Sequence, residues 1–443
     1  MLAKMAEEDG LDILVATDYA RLSWAWGFRP LQNVLRVQFE RRSVFQSGVG
    51  RYLAAVADVD RRHPNLLVIP GIEVAAHYHF SGDPLQGNLV AHNWHRRMHV
   101  LGLKKPEDYL ALPMAGGPSV DLLLARGASG IPVTVWPYLL PGIYLLCSLI
   151  GVILMLWMGF RRVLGSLVYL VFIPLAVNEL PFLKSPSDPY GGDPGIQPYQ
   201  ALIDGAVRAG GIVLWARPDS PLQKDSISPL MLETPPHPEV LFQSYGYTAF
   251  DTVYDESLGA SAPGKQWDRV LGEYVRGRRQ SPVWVYGGIG LPGRAGNGGR
   301  GRLSDVQTVL FLKERTELEV LSALQKGRMY AVKGRGPSRL RLDQFIVIAR
   351  DQGVMALIGE TVTAVEPPEI RFRISTGDDS PKDLTVQLIR NGEVIQTYRG
   401  KTPFQVNYID PDPPTRGKVY YRLDAMASPS ERLLTNPIFV LRP

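Results

Sequence analysis

Seven histidines are present, and five of them (His77, His79, His92, His95 and His99) fall within 23 residues that begin just after Glu73. The segment reads IEVAAHYHFSGDPLQGNLVAHNWHRRMHVLGL. A carboxylate beside several imidazoles is ligand chemistry for zinc, manganese or iron. Glu73 at the end of one apolar strand and His99 on the next could converge on one ion, with His77 and His79 as further ligands. The same residues also suit a polar surface beside a membrane, as His92 and His95 do next to Asn93, Trp94 and Arg96. No compact HExxH pattern is present. Asp18 closes the apolar run LDILVAT, at the carboxyl end of a strand, where α/β enzymes place catalytic groups and where a helix N-cap is equally at home. There is no Gly-x-Ser-x-Gly element. The one cysteine, Cys147, lies in an apolar stretch that suits no nucleophile.

The elements that must position these residues alternate. LDILVAT (11–17), NLLVIPGIEV (65–74) and RMHVLGL (97–103) read as strands. Tyr52, Leu53, Val56 and Val59 mark a helix between the first two. PYQALIDGAVRAGGIVLWARP reads as helix, Gly-Gly stop and strand. AFDTVYD (249–255), PVWVYGG (282–288) and VQTVLFLKE (306–314) add strands, and TELEVLSALQKGRMYA adds an amphipathic helix and a turn. From about residue 340 the pattern becomes short alternating strands, with a hairpin signal at Asn391-Gly392. The fold class expected is α/β over 1–128 and 185–339, followed by a β-sandwich of immunoglobulin-like size over 340–443.

Residues 129–184 interrupt this pattern. No charged side chain occurs between Arg126 and Arg161. Leu139 to Phe160 is long enough to cross a bilayer, with Pro132, Pro137 and Pro141 at its start and Trp136 and Tyr138 at interface positions. Arg161-Arg162 forms the expected loop, and a second apolar run extends to about Leu183. A pair of buried core helices would share this composition, but a transmembrane hairpin fits an uncharged stretch of this length. An even number of spans leaves both flanks on one face. Arg161 and Arg162 place that face outside the cytoplasm. The lipid bilayer is thus the first partner expected. The chain opens without the charged start and apolar core of a targeting segment. External flanks would call for one upstream.

Composition excludes several classes. Of 443 residues, 45% are hydrophobic and 21% charged, which is not the balance of a disordered chain. A single cysteine excludes a disulfide scaffold. A net charge of +5 is too dispersed to imply nucleic acid. The Gly/Arg loop GLPGRAGNGGRGR (290–302) lacks Walker spacing and offers at most an anion contact.

Several of these segments together resemble the PHP (polymerase and histidinol phosphatase) superfamily. GLDILVATDY resembles its "GLD…TDH" element, VIPGIEV its "PGxE" strand, and MHVLGL its "HxLG" strand. AGGIVLWARP resembles "GGxxxxAHP", and ELEVLSALQKGRMYAV resembles "LxALRxGRxY". The tail, with YYRL and NPIFV, is similar to the β-sandwich of carbaryl-hydrolase-like members. The resemblance implies a distorted (β/α)7 barrel with a cluster of zinc, manganese or iron that activates water for phosphoester hydrolysis. Carried over, Glu73 and His99 are retained ligands and Asp18 is retained. Tyr19 and Arg217 stand where the family has ligand histidines. The late Asp-x-His element is absent from GIGLPGRAG, and the opening His-x-His motif is not in this chain. Arg217 favours an anion over a cation. The expectation is therefore a degenerate metallohydrolase site serving binding or scaffolding, with a small anionic substrate or a protein as partner. The alternative is an active metal-dependent phosphoesterase.

Overall fold

The computed structural model describes residues 1–83, 86–115, 139–180, 188–227, 230–254, 257–289 and 302–443. The flanks of the apolar segment (Arg126, Pro132, Trp136, Pro137, Tyr138 and Lys184) and loop residues 290–301 lie outside them. The first half carries β1 (Ile13–Tyr19), β2 (Leu22–Gly27), β3 (Arg36–Arg41), β4 (Leu67–Ala75), β5 (His79–Ser81), β6 (Val90–His92) and β7 (Arg97–Leu101). After the apolar segment come β8 (Ile212–Ala216), β9 (Gln223–Ile227), β10 (Leu230–Thr234), β11 (Ala249–Asp251) and β12 (Trp284–Tyr286).

A six-stranded sheet runs in the order β1-β4-β7-β8-β11-β12. It draws strands from both sides of the apolar segment, so the two halves form one α/β unit. β1 pairs parallel with β4, and β8, β11 and β12 are mutually parallel, while β7 is antiparallel to both of its neighbours. All five residues of β8 are buried, as expected for a strand covered on both faces. The helix Gln197–Arg208 covers it with Tyr199, Leu202, Ile203 and Ala206, a single apolar stripe. The helix Val49–Arg62 packs on β4.

The closed barrel expected for this unit is not formed by the described strands: the sheet is open, with β1 and β12 as its edges. The reason is visible on β12. Asn436 accepts from the Val285 N–H at 2.8 Å and donates to the Val285 carbonyl at 3.0 Å. Thr308 exchanges two hydrogen bonds with the Gly287 backbone. Edge groups satisfied in this way are not left for another strand.

A second sheet, β5-β6-β10-β9, and the β2–β3 hairpin sit beside the carboxyl end of β1. They share a core of Trp24, Tyr78, Trp94, Leu230 and Leu232.

The C-terminal part is two packed sheets with one core, including Phe372, Ile374, Val386, Leu388, Tyr421 and Val440. Its larger sheet also takes β13 (Val306–Leu310) and β14 (Met329–Lys333), so it reaches back across residue 340. Asn391 (φ 50°) and Gly392 (φ 90°) make the expected tight turn. Asp268 and Arg422, both buried, form a two-point ion pair at 2.8 and 2.6 Å that clasps this part to the α/β unit.

The apolar segment forms two antiparallel helices, Leu139–Met155 and Phe160–Asn178. The first ends earlier than expected because Leu156–Gly159 turns, with Gly159 in the left-handed region at φ 69°. Arg161 and Arg162 therefore lie in the first turn of the second helix and not in a loop. The helices meet at Gly151 and Gly165: a Cβ on Gly165 would come within 2.6 Å of the Gly151 carbonyl. Small residues at that crossing let the backbones touch. Phe160–Asn178 is long and apolar enough to span a membrane. Leu146, Leu149, Leu167 and Leu170 are exposed outward.

Candidate functional site

The carboxyl ends of the parallel strands gather the polar side chains. Tyr19 is opposite Glu73, and Glu73 is opposite His99 in the β4–β7 ladder. Directly opposed residues share a face, so Tyr19, Glu73 and His99 form one row. His99 Nδ1 lies 2.8 Å from the Tyr286 hydroxyl, which comes from the far edge strand. Glu73 and His99 are thus cross-strand neighbours on one face of the sheet.

Asp18 does not join them. It is paired with Ile72, one residue out of step with Glu73, so alternation sends it to the opposite face. Tyr52 on the covering helix lies on that side, where its hydroxyl donates to the Ala16 and Gly71 carbonyls.

Two guanidinium groups complete the site. Arg97 is two residues before His99 on β7 and so faces the same side. Its Nη1 is 3.4 Å from Glu73 Oε1, and its guanidinium lies over the Tyr19 ring at 4.2 Å. Arg217 follows β8 in the left-handed region, at φ 48°. Its Nε is 3.6 Å from Asp251 Oδ2 at the end of β11. The Asp251 side chain is 2% exposed, while that of Arg217 is 38% exposed. Gly288 N–H donates to the other Asp251 oxygen at 2.9 Å.

Burial pushes the Asp251 carboxyl up to about 7, against the pull of Arg217 and the Gly288 hydrogen bond. Burial lowers the His99 imidazole; Glu73 opposes the shift, while Arg217 and Arg97 add to it. Burial also works against the charge on Arg217, but Asp251 and Glu73 outweigh it and its net shift is upward. Near neutral pH this group of side chains can therefore gain or lose a proton at Asp251 and hold a negative charge at Arg217.

His77 and His79 belong to a different neighbourhood. Their rings stack at 5.9 Å, and His79 stacks on its cross-strand partner His92 at 5.0 Å. His77 Nε2 contacts the Gly192 carbonyl at 3.1 Å. His95 and His237 are pushed down to about 4 and about 3 by burial. Among the described residues, no group of three or more His, Cys, Asp or Glu side chains is placed to hold a metal ion.

Arg97, Asp251 and Tyr286 do not stand out in the sequence. Asp251 could have been found by the rule that singled out Asp18, an acid ending an apolar strand. Arg97 could have been found by its two-residue spacing from His99. Nothing local marks Tyr286, because its partner is 187 residues away. No family model matches this chain, and no curated protein or solved structure gives a match.

Proposed function

We propose that this chain is a membrane-anchored protein of PHP-like architecture whose metal pocket has been rebuilt into an anion-binding site, so that it binds or scaffolds and does not hydrolyse. The observation that carries the reading is the Arg217–Asp251 pair. Arg217 stands where the resemblance places a ligand histidine, and its nearest acid is a buried carboxylate. With Arg97 against Glu73, two fixed cations flank the remaining pair of ligands. Two donors beside two guanidinium groups do not fit a divalent-metal cluster, which needs more ligands and a negative field. The ligand class is a small carboxylate or phosphoryl anion, matched to the planar donor fork of arginine. The parallel strands of the open sheet bring their carboxyl ends to one side, which is the placement the resemblance implies for the site. The apolar hairpin supplies the anchor, with the two large units on one face, outside the cytoplasm.

Glu73 and His99 are cross-strand partners, and this favours one further reading: a metal-dependent phosphoesterase with a reduced ligand set. Elemental mass spectrometry of the detergent-purified protein after incubation with zinc and manganese separates the two, with Glu73→Ala/His99→Ala alongside. The expected result is no stoichiometric metal in either protein, and a sulfate-dependent rise in melting temperature that Arg217→Gln abolishes. One metal per chain, lost in the double variant, would replace this proposal with the hydrolase.

A further inference from the structure

The β2–β3 hairpin is a second candidate for membrane contact, separate from the helices. Its strands are paired from Leu22–Arg41 to Gly27–Arg36, and residues 28–35 form its tip. Apolar side chains are exposed at the tip and just beside it on β3: Phe28 46%, Val34 40%, Leu35 54% and Val37 50%. Soluble surfaces carry such residues singly, whereas these are clustered on one projecting element.

The tip is fastened to the end of the longer apolar helix. Asn33 N–H donates to Asn178 Oδ1 at 2.8 Å, and Asn33 Nδ2 donates to the Asn178 carbonyl at 3.0 Å. Asn178 is the last residue of Phe160–Asn178 and is fully buried. On the other side, the Tyr190 hydroxyl accepts from Gly27 N–H at 2.6 Å, and Arg29 donates to the Tyr190 carbonyl at 2.9 Å. Trp26 packs edge-on against Phe28 at 4.6 Å. Held from both sides, the tip does not fold back to bury its own apolar residues.

Helix length sets the depth. The 19 residues of Phe160–Asn178 span roughly 28 Å at the usual rise, close to a hydrocarbon core of about 30 Å. With Arg161 and Arg162 at one end, Asn178 falls at the opposite boundary. Asn33, bonded to it, shares that depth. An aromatic pair, exposed aliphatic side chains and the flanking Arg29 and Arg36 are what a headgroup–acyl boundary accepts.

From this we infer that the β2–β3 tip is an interfacial membrane contact, seated at the headgroup–acyl boundary of the bilayer beside the helical hairpin. The inference rests on the reading of that hairpin as a membrane anchor. It fixes the tilt of the α/β unit, because a helical anchor alone leaves the unit free to swivel about its attachment. It also places the strand-end site, which begins at Tyr19 just before β2, on the membrane-proximal side.

The test uses the full chain in vesicles of phosphatidylcholine and phosphatidylglycerol. Cys147 is the one native cysteine, so a Cys147→Ala background accepts single spin labels at Leu35→Cys, Leu170→Cys and Met355→Cys. All three positions are exposed, and these variants are expected to keep the fold. Collision with oxygen and with a water-soluble nickel chelate reports depth. The expected order is lipidic at 170, interfacial at 35 and aqueous at 355, with the oxygen-to-nickel ratio at 35 several-fold above that at 355. An aqueous position 35 beside a lipidic 170 would overturn the tip contact and leave the anchor intact. A position 35 shielded from both reagents would mean a protein cover and would overturn it equally. An aqueous position 170 would remove the anchor reading itself.

Discussion

Arg217 and Asp251 face each other at 3.6 Å across the ends of adjacent strands, one partly open to solvent and the other almost sealed from it. The asymmetry matters because the sealed partner is the one that titrates. Burial holds the Asp251 carboxyl at about 7, so its charge is poised where small changes in proton concentration alter what Arg217 is free to bind.

Anion binding should therefore depend on pH. Below about 7, Asp251 is protonated and no longer competes for the guanidinium. Titration calorimetry with sulfate, whose charge is constant in this range, should show several-fold tighter binding at pH 6 than at pH 8. Asp251→Asn should bind at least as well as the parent at pH 6 and show no such dependence. Equal affinities for the parent at both pH values would remove Asp251 from the site.

Stability should follow the same proton. A carboxyl raised from 3.8 to about 7 keeps, in the folded state, a proton that the unfolded chain has released. Between those values the folded state binds more protons, so stability falls as pH rises through the window. Arg217→Ala removes the compensating cation. Because Arg217 is partly exposed, the cost should be modest, about 1–2 kcal/mol at pH 8, and smaller at pH 6. Arg217→Ala/Asp251→Asn should recover most of it. Denaturant titration at the two pH values measures all three.

The clasp between the two large units is a harsher case. Arg422 is fully buried and is held by both Asp268 oxygens, by stacking on Trp267 at 4.6 Å, and beside the Tyr420 hydroxyl, which donates to Asp268 at 2.8 Å. Asp268→Ala strands a buried guanidinium and should cost about 3–5 kcal/mol. Limited proteolysis should then cut near the junction. Asp268→Leu with Arg422→Met and Tyr420→Phe should restore much of the loss, because apolar replacement of the whole buried cluster removes the desolvation costs without stranding the Tyr420 hydroxyl.

In the helical hairpin, Gly165→Leu has no room. Its Cβ would meet the Gly151 carbonyl at 2.6 Å and the Met155 backbone nitrogen at 2.7 Å. Separating the helices should cost about 1–3 kcal/mol, as overpacking does in close-packed interiors. Thermal unfolding in detergent should show the drop, while Gly142→Leu, with open space around its Cβ, should not.

Much of the local structure was legible in the chain. Apolar alternation and Gly-Gly or Asn-Gly stops marked β1, β4, β7, β8 and the tight turn at Asn391-Gly392, because strand periodicity and left-handed turns are short-range properties. The length of the uncharged run marked the helical hairpin. The pairing of the Glu73 and His99 strands was within reach as two neighbouring apolar runs, although β5 and β6 intervene between them in the chain and join another sheet. Other features depend on contacts between distant residues. Whether Asp18 faces Glu73 or turns away rests on a one-residue register with Ile72, set by packing of the whole sheet. The open edge of β12 depends on Asn436, 151 residues from Val285. The separation of His77 and His79 from the strand-end site depends on β5 turning out to pair with β6. Spacing in the chain determined which chemical groups were available. Only tertiary structure decided that the second cation at this site is Arg97, that the acid facing Arg217 is Asp251, and that burial sets the proton affinity of that acid, because desolvation is a property of the assembled fold and not of any segment.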